Sequence, residues 1–455
     1  MLWLIGLTVA TYFITFFNGF ISDDITIGAA AKSRGYGLKD KKNLTCFTGF
    51  FDALEWRLLK DKKYLHHIVS VTLFTILTCS FYLVSRKFIP EPVAWLATAF
   101  FIVHPCNTQI GGWISCKWWG VANTFALWAL FFNNSFFYVF SALFACSGFP
   151  YIWLFNVPWW EKILASVVVL FILNNNLGSK VDLNIFEGEF KEDNTKIYPR
   201  KAIVMLKSYC YYISLAVFPV QMGWFHELGE PIDDKLKSFD FHFVLCVLLI
   251  GTLVLFCGTK AFMGLLLFTL FIAPFTNLIT FALFTSERYM TPAMMGWSIF
   301  LAYTLISYPI AAGILIAIYF MRTQLQLWTF RDDFHLAMAS LISFDKSGYA
   351  WTNFANMMLY QGKPSAAFDI LKETEKRLPG FPTTYWLLYT MYRANDLLND
   401  YDQAYHYISK TCKYGKHEQW HKERETFRLA LLSDRVVKFK VKYVTGKIAG
   451  AVPTG

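Results

Sequence analysis

Charged residues are scarce in this chain: Asp, Glu, Lys and Arg make up only 16% of its 455 residues, against about 25% in soluble domains. Hydrophobic residues make up 55% of it, and most of the long apolar runs lie before residue 325. This composition excludes an ordinary soluble globular protein and indicates a membrane protein.

Several kinds of site lack their sequence signature. The nine cysteines include no CxxC pair, so neither a zinc site nor a disulfide framework is supported. The net charge of +10 is not gathered into a basic stripe with interleaved aromatic residues, which argues against a nucleic-acid partner. No nucleotide-binding loop is visible either. We therefore predict no metal, no bound cofactor and no nucleic-acid partner.

The apolar runs predict about eleven membrane crossings of roughly twenty residues each. The first is Leu2–Ile21, and later ones include 90–103 and 241–258. The stretch 135–160 is either one kinked crossing or a hairpin, and a crossing from Lys162 to Leu173 follows it. The basic pair Arg86-Lys87 favours a cytoplasmic end for the second crossing and so places Asp23 on the opposite side. An odd number of crossings places the C-terminal segment on the same non-cytoplasmic side, in a periplasm or an endoplasmic-reticulum lumen. The predicted fold is all-α and multi-pass, with a transmembrane domain over residues 1–325.

Beyond residue 325 the chain is soluble in character and repeats with a period of about 34 residues, which is typical of tetratricopeptide helix pairs. We predict a helical-repeat domain over 326–433 and a basic, flexible tail over 434–455; an unrelated helical bundle is the alternative for the repeats. The residues at repeat positions are Trp351, Phe354, Ala355, Met358, Gly362, Ala367, Leu371 and Pro379, then Trp386, Tyr392, Asn399, Ala404 and Ile408. Such repeats often hold peptides, so a surface around Tyr385, Tyr389 and Tyr392 is predicted to contact an acceptor or a protein partner.

Two adjacent carboxylates, Asp23 and Asp24, follow the first apolar run. A carboxylate at that position lies near lipid-borne material and within reach of water. It could therefore act as the general base for a hydroxyl acceptor. The alternative is that the pair merely marks the water boundary or caps a following helix.

Together these segments resemble the GT-C glycosyltransferases that use polyprenyl-phosphate sugars, and most closely the transmembrane-and-tetratricopeptide O-mannosyltransferases and their bacterial relatives. The resemblance follows the order of the chain through five stretches. These are Asp23-Asp24, Tyr64–His67, His104–Lys117, Ala273–Ile279 with Glu287–Pro292, and Trp328–Phe334.

The resemblance implies transfer of a sugar, with inversion, from a polyprenyl or dolichyl phosphate to a hydroxyl of a protein Ser/Thr or a glycan. Asp23 or Asp24 would take the acceptor proton, and Arg288 would stabilise the leaving lipid phosphate. Lys117 and Arg200 are secondary phosphate-binding candidates. Substrate-binding candidates are His104, Gln109, Glu287 and Tyr289. Arg288 could instead pair structurally with Glu287, and His104 could only cap a helix.

The chain departs from the family pattern where ionisable groups are expected. Asn107 and Gln109 stand in place of His and Glu, Trp119 in place of Asp, and Gly148 in place of Lys. Such groups are costly in a membrane and are usually functional. Two interpretations follow: a divergent active transferase, or a catalytically inactive scaffold that binds partners through its repeats.

Overall fold

The computed structural model describes residues 1–21, 24, 27–28, 47–145, 151–152, 154, 156–176, 197–220, 222, 251, 258–276, 286–343, 348–394, 401–414 and 421–425. Every regular element within these ranges is helical, and no strand occurs among them, which confirms the all-α prediction. The described residues form two units that divide between His335 and Leu336. The boundary at residue 325 between a transmembrane domain and a helical-repeat domain stays a prediction.

The described part of the larger unit is built of helices. Its helices are α1 (Leu2–Tyr12), α2 (Phe47–Leu59), α3 (Lys63–Phe88), α4 (Glu91–Val103), α5 (Thr108–Gly112), α6 (Lys117–Phe132), α7 (Ser135–Ser141), α8 (Trp159–Asn176), α9 (Ile197–Val217), α10 (Thr259–Ile272), α11 (Thr291–Leu305) and α12 (Pro309–Thr329). In its core, α10 packs against α11, α11 against α4, and α3 against α1, α4 and α6.

Two of the described helices, α3 and α12, are long and apolar enough to cross a membrane by length and composition. Three shorter apolar helical segments accompany them: Leu2–Phe17, Glu91–Val103 and Thr259–Phe275. The predicted count of about eleven crossings therefore remains a prediction. Most of the predicted crossing 241–258 lies outside the described residues.

The first apolar helix is shorter than the sequence predicted. The α-helix ends at Tyr12 and continues as a 3-10 turn over Phe13–Phe17, after which Asn18 is extended. The Thr15 hydroxyl donates to the Tyr12 carbonyl at 2.7 Å, which favours the tighter turn. From the rise per residue, the two pieces together span about 26 Å, slightly less than a hydrocarbon core of about 30 Å.

Helix α12 holds the ends of two neighbouring helices through its polar side chains. The Thr323 hydroxyl donates to the Val103 carbonyl at the end of α4, and the Gln324 amide donates to the Thr11 carbonyl in α1, both at 2.7 Å. The last carbonyls of a helix have no partner within the helix. These bonds therefore satisfy carbonyls that would be costly to bury unpaired.

Helices α10 and α11 approach closely through two glycines. A Cβ added at Gly264 would lie 2.5 Å from the Phe300 backbone nitrogen, and one added at Gly296 would lie 2.4 Å from the Phe268 backbone nitrogen. Neither contact can be relieved by a side-chain rotation, since both involve backbone atoms. Small residues at these positions are what allow the two helices to pack at this distance.

The Gly296→Ala variant is expected to lose about 1–3 kcal/mol of unfolding free energy, because the added methyl group forces α10 and α11 apart. Gly313→Ala in α12 is the matched control, since a Cβ there meets nothing within 4 Å. That control should be neutral or stabilising, because alanine is the better helix former. Thermal unfolding in detergent measures both. Equal effects of the two variants would contradict the close packing.

The smaller unit consists of paired helices. They are α13 (Asp333–Ser343), which begins in the larger unit, α14 (Gly348–Tyr360), α15 (Pro364–Arg377), α16 (Pro382–Ala394) and α17 (Tyr401–Tyr414). Helix α14 packs on α15, and α16 packs on α17. Three fully buried alanines, Ala355, Ala367 and Ala404, lie in these helices.

The predicted partner-binding tyrosines are mostly core residues. Tyr385 is 3% exposed and Tyr389 is 1% exposed, and both belong to the buried cluster between α16 and α17. Only Tyr392 lies at its edge, partly buried. Tyr385 and Tyr389 therefore fill the space between helices, and the prediction that the surface around the three tyrosines contacts an acceptor or a partner stays a prediction.

Candidate functional site

The candidate site is built around the segment 104–117, which folds as three tight turns. A 3-10 turn at Pro105–Asn107 leads into α5, and a second 3-10 turn at Ile114–Cys116 leads into α6. A Cβ added at Gly111 would lie 2.3 Å from the Tyr12 ring, and one at Gly112 would lie 2.5 Å from Leu327. The two glycines therefore let this segment lie against α1 and α12. We call the turn Ile114–Cys116 the central turn.

Asp24 is bound to the central turn. Its side chain accepts a hydrogen bond from the Ser115 amide at 2.9 Å and another from the Ile21 amide at 3.3 Å. Asp24 is only 1% exposed. Burial raises its pKa to about 7, although the two amide bonds and the nearby charge of Lys117 act in the opposite direction. A carboxyl group with a pKa near 7 suits general-base chemistry at neutral pH.

Arg288 reaches the same turn from a different part of the chain. It lies in the 3-10 turn Glu287–Met290, just before α11, and it is half-buried. Its Nη1 lies 3.5 Å from the Cys116 Sγ, and its guanidinium carbon lies 5.9 Å from the centroid of the Tyr289 ring. Ser115 and Cys116 are neighbours in sequence. Asp24 and Arg288 therefore contact consecutive residues of the central turn.

A buried charge cluster lies beside this turn. The Lys117 ammonium, 1% exposed, contacts the Asp52 carboxylate at 3.1 Å and the Glu55 carboxylate at 3.2 Å. The Trp118 indole also donates to Asp52, at 2.9 Å. Burial acts to lower the pKa of Lys117, but the two carboxylates outweigh it and raise that pKa. Lys117 therefore stays charged and joins α6 to α2.

His66 completes the cluster from α3. Its Nδ1 lies 2.6 Å from the Glu55 carboxylate, and its Nε2 lies 2.9 Å from the Lys60 carbonyl. For Glu55, burial alone would raise the pKa, but the bond to His66 and the charge of Lys117 lower it. Lys117 and His66 thus both contact the Glu55 carboxylate.

The Lys117→Met variant should lower the unfolding free energy by about 3–5 kcal/mol, because it leaves two buried carboxylates without their cation. Lys260→Met, an exposed lysine at the start of α10, is the control and should change little. The triple variant Lys117→Met/Asp52→Asn/Glu55→Gln should recover most of the loss, since it removes the unpaired charges. Thermal unfolding tests all three. A triple variant as unstable as the single one would contradict this account.

The predicted substrate-binding residues are deeply buried. His104 donates from Nε2 to the Ala216 carbonyl at 3.0 Å, and its Nδ1 accepts from the Cys106 amide at 3.2 Å, so it caps the Pro105–Asn107 turn. Gln109 accepts from the Ser286 hydroxyl at 3.3 Å. Glu287 is 0% exposed, and Tyr289 stacks on Phe275 with the ring centroids 5.3 Å apart. His104, Gln109 and Tyr289 thus hold these turns to their neighbours, and Glu287 is buried beside them.

Three residues singled out in the sequence remain outside this description: Asp23, Gly148 and the side chain of Arg200. Asp23 lies outside the described residues, and so does Gly148 among the departures from the family pattern. Arg200 lies in α9, where only its backbone is described. The structure therefore brings Asp24, Arg288, Lys117, His104, Gln109, Glu287 and Tyr289 to one region around the segment 104–117.

Two of the residues that depart from the resembled pattern make contacts in the structure. Trp119 packs against Tyr289 with ring centroids 5.1 Å apart and against Phe275 at 6.1 Å. Asn107 donates from its amide to the Phe101 carbonyl at 2.7 Å, near the end of α4. Trp119 thus packs among aromatic rings, and Asn107 pairs a carbonyl near the end of a helix.

Sequence reasoning missed Asp52, Glu55 and His66. The signal was present: Asp52 and Glu55 are three residues apart on a helix and therefore share a face. Apolar residues of the same stretch, such as Phe51 and Trp56, favour instead a helix that lies along the membrane surface. Lys117 lies 65 positions from Asp52, and His66 lies 11 positions from Glu55, so helical spacing pairs neither of them with these carboxylates.

Comparisons with protein-family models, with curated proteins and with solved structures find no match to this chain. Among the described residues, no group of three or more His, Cys, Asp and Glu side chains could hold a metal ion.

Proposed function

We propose that this chain is an integral-membrane glycosyltransferase. It transfers a sugar, with inversion, from a polyprenyl-phosphate carrier to a hydroxyl of a protein Ser/Thr or a glycan on the non-cytoplasmic face. Asp24 takes the proton from the acceptor hydroxyl as the new glycosidic bond forms. Arg288 stabilises the charge on the lipid phosphate as the bond between sugar and phosphate breaks.

One observation carries this proposal. Asp24 and Arg288, separated by more than half of the chain, contact the adjacent residues Ser115 and Cys116. A displacement at a sugar carbon needs a base for the attacking oxygen and charge stabilisation for the leaving oxygen. The central turn contacts the base, Asp24, through Ser115 and the phosphate-stabilising residue, Arg288, through Cys116.

Exposed apolar stripes support placement in a membrane. On α12, five residues spaced three or four apart are between 49% and 80% exposed: Ile310, Ile314, Ile318, Met321 and Leu325. On α8, Trp159, Ile163, Val167 and Phe171 form a similar stripe at 54% to 72% exposure. Contiguous apolar surface of this extent is expected to be covered, and lipid is the cover that we propose.

The helix pairs support a tetratricopeptide-like domain. Helices α14 and α16 begin at Gly348 and Pro382, which are 34 residues apart, the tetratricopeptide period. The buried alanines Ala355, Ala367 and Ala404, in α14, α15 and α17, allow the close approach that such repeats need. We propose that this domain binds a protein partner or an acceptor through a surface other than its buried tyrosines.

A second candidate function is a membrane scaffold that no longer catalyses. The burial of Asp24 favours it, because both amide bonds and the surrounding packing leave its carboxylate only 1% exposed. A transferase needs that carboxylate to reach the acceptor in the substrate complex. Catalytic hydrogen bonds often align only when substrate binds, so the burial of Asp24 in the substrate-free chain does not exclude catalysis.

The test uses the full chain in nanodiscs loaded with a panel of radiolabelled polyprenyl-phosphate hexoses and supplied with membrane acceptors. We expect release of polyprenyl phosphate together with transfer of label to an acceptor for at least one member of the panel. Empty nanodiscs are the control. Binding of the carrier without any release would overturn the transferase proposal and support the scaffold.

A further inference from the structure

A pocket of about 480 Å³ lies in the larger unit, and its described lining does not include the central turn. Its lining residues come from three places in the chain: Phe17, Gly19 and Phe20 after α1, Lys63 at the start of α3, and Arg331 with Asp332 just after α12. Lys63 is the first residue of α3, and Arg331 and Asp332 follow the end of α12. The two helices that are long and apolar enough to cross a membrane therefore meet at this pocket.

The pocket has two cations that no neighbouring acid neutralises. Within the described part of the chain, neither Lys63 nor Arg331 forms an ion pair with a carboxylate, and both side chains are exposed. The Arg331 guanidinium lies 5.1 Å from the centroid of the Trp328 ring. Asp332, the one acid among the described lining residues, accepts from the amide and from the Nδ1 of His335 at 2.9 and 2.8 Å. The Lys63 and Arg331 side chains thus remain open to an anion.

Gly19, one of the lining residues, contacts the two neighbouring segments through its backbone. The Gly19 amide donates to the Arg331 carbonyl at 2.8 Å, and the Gly19 carbonyl lies 3.4 Å from the His67 Nε2. A Cβ added at Gly19 would lie 3.0 Å from that Arg331 carbonyl. Glycine at this position therefore lets the segment after α1 lie close to α3 and α12. As a result, Lys63 and Arg331 line the same pocket.

We propose that this pocket binds the phosphate headgroup of an anionic membrane lipid. Arginine and lysine are the usual phosphate ligands, and the planar arginine fork can bind two phosphate oxygens. Three aromatic side chains in or next to the lining segments are exposed: Phe17 at 73%, and Trp328 and Tyr64 at 49% each. Exposed aromatic side chains are typical of a membrane–water interface. The inference rests on the membrane placement in the proposed function and is independent of sugar transfer.

The test is native mass spectrometry of the full chain in a neutral detergent, titrated with dihexanoyl phosphatidic acid, dihexanoyl phosphatidylcholine or inorganic phosphate. We expect phosphatidic acid to bind at the lowest concentration. Lys63→Gln/Arg331→Gln should weaken its binding at least about tenfold, because two charged contacts to phosphate are lost. Arg57→Gln/Lys62→Gln removes the same charge from exposed positions outside the pocket and should change binding less than about twofold.

Each other outcome overturns the proposal. Equal weakening in both double variants would mean general charge attraction instead of a site. Inorganic phosphate binding as tightly as phosphatidic acid would assign the pocket to a soluble phosphate compound. Arg288→Gln should leave this binding unchanged, so a failed transfer assay and a failed pocket are distinguishable.

Discussion

Asp24→Asn is expected to lower the rate of sugar transfer about 10²- to 10⁴-fold, the usual contribution of a general base. The amide keeps an oxygen that can accept from the Ser115 backbone, so the central turn should remain folded. In the wild type, transfer should rise with pH and level off above about 7, where Asp24 is ionised. That inflection should be absent from the residual activity of the variant.

The same substitution has a stability signature that checks the pKa independently. The folded-state pKa of about 7 lies above the unfolded value of about 3.9. The folded protein therefore holds an extra proton between these values, and the wild-type unfolding free energy should fall as pH rises from about 4 to about 7. Asp24→Asn removes this dependence. Asp369→Asn, an exposed carboxylate on α15, is the control and should change neither transfer nor the pH dependence.

Transfer undiminished in Asp24→Asn would exclude this residue as the base. The double variant Asp23→Asn/Asp24→Asn then decides between the two neighbours: loss only in the double variant would move the role to Asp23. Activity retained in both would exclude the whole pair.

Arg288→Gln is expected to lower transfer about 10²- to 10³-fold, because the charge on the departing phosphate loses its preorganised donor. Arg288→Lys should recover only part of that loss, since an ammonium keeps the charge but not the planar pair of donors. Arg57→Gln, an exposed arginine on α2, is the matched control. Transfer rates measured at saturating carrier separate this effect from weaker binding.

A full recovery in Arg288→Lys would show that charge alone is required at this position. An unchanged rate in Arg288→Gln would remove Arg288 from the mechanism and leave its contact with Cys116 as a purely structural one.

The sequence predicted the helical nature of the fold because its signal is local. Long apolar runs separated by polar turns indicate helices, and the predicted crossing at 90–103 corresponds to α4 at Glu91–Val103. The first run was predicted too long, since composition could not reveal the change to a 3-10 turn at Phe13. The length of an apolar run in the sequence therefore does not give the length of the α-helix within it.

The candidate site could be predicted only in part. Asp24 and Arg288 are visible in the sequence because each stands at the edge of an apolar run. The buried partners of Lys117 were not visible, because Asp52 and Lys117 are joined by tertiary packing across 65 positions. The role proposed for Lys117 changes accordingly, from phosphate binding to holding α6 against α2, since its ammonium already has two carboxylates.

The burial of His104, Gln109 and Tyr289 was also beyond the sequence. Each is a residue type that binds substrates in other proteins, and each here makes a hydrogen bond or a ring contact within the turns around α5. A polar residue in a motif predicts importance, but only the packing separates contact with a ligand from support of the backbone.

The central claim is that a lipid-linked sugar binds with its phosphate at Arg288 and its reacting carbon between Arg288 and Asp24. Photolabelling in nanodiscs tests it most directly, with a polyprenyl phosphate that carries a diazirine on its first isoprene unit and with the labelled residues mapped by mass spectrometry. We predict label on Ile114–Cys116 and on Glu287–Met290, lost when excess unlabelled polyprenyl phosphate is added. Label confined to the exposed apolar face of α12, with none on either turn, would contradict the account.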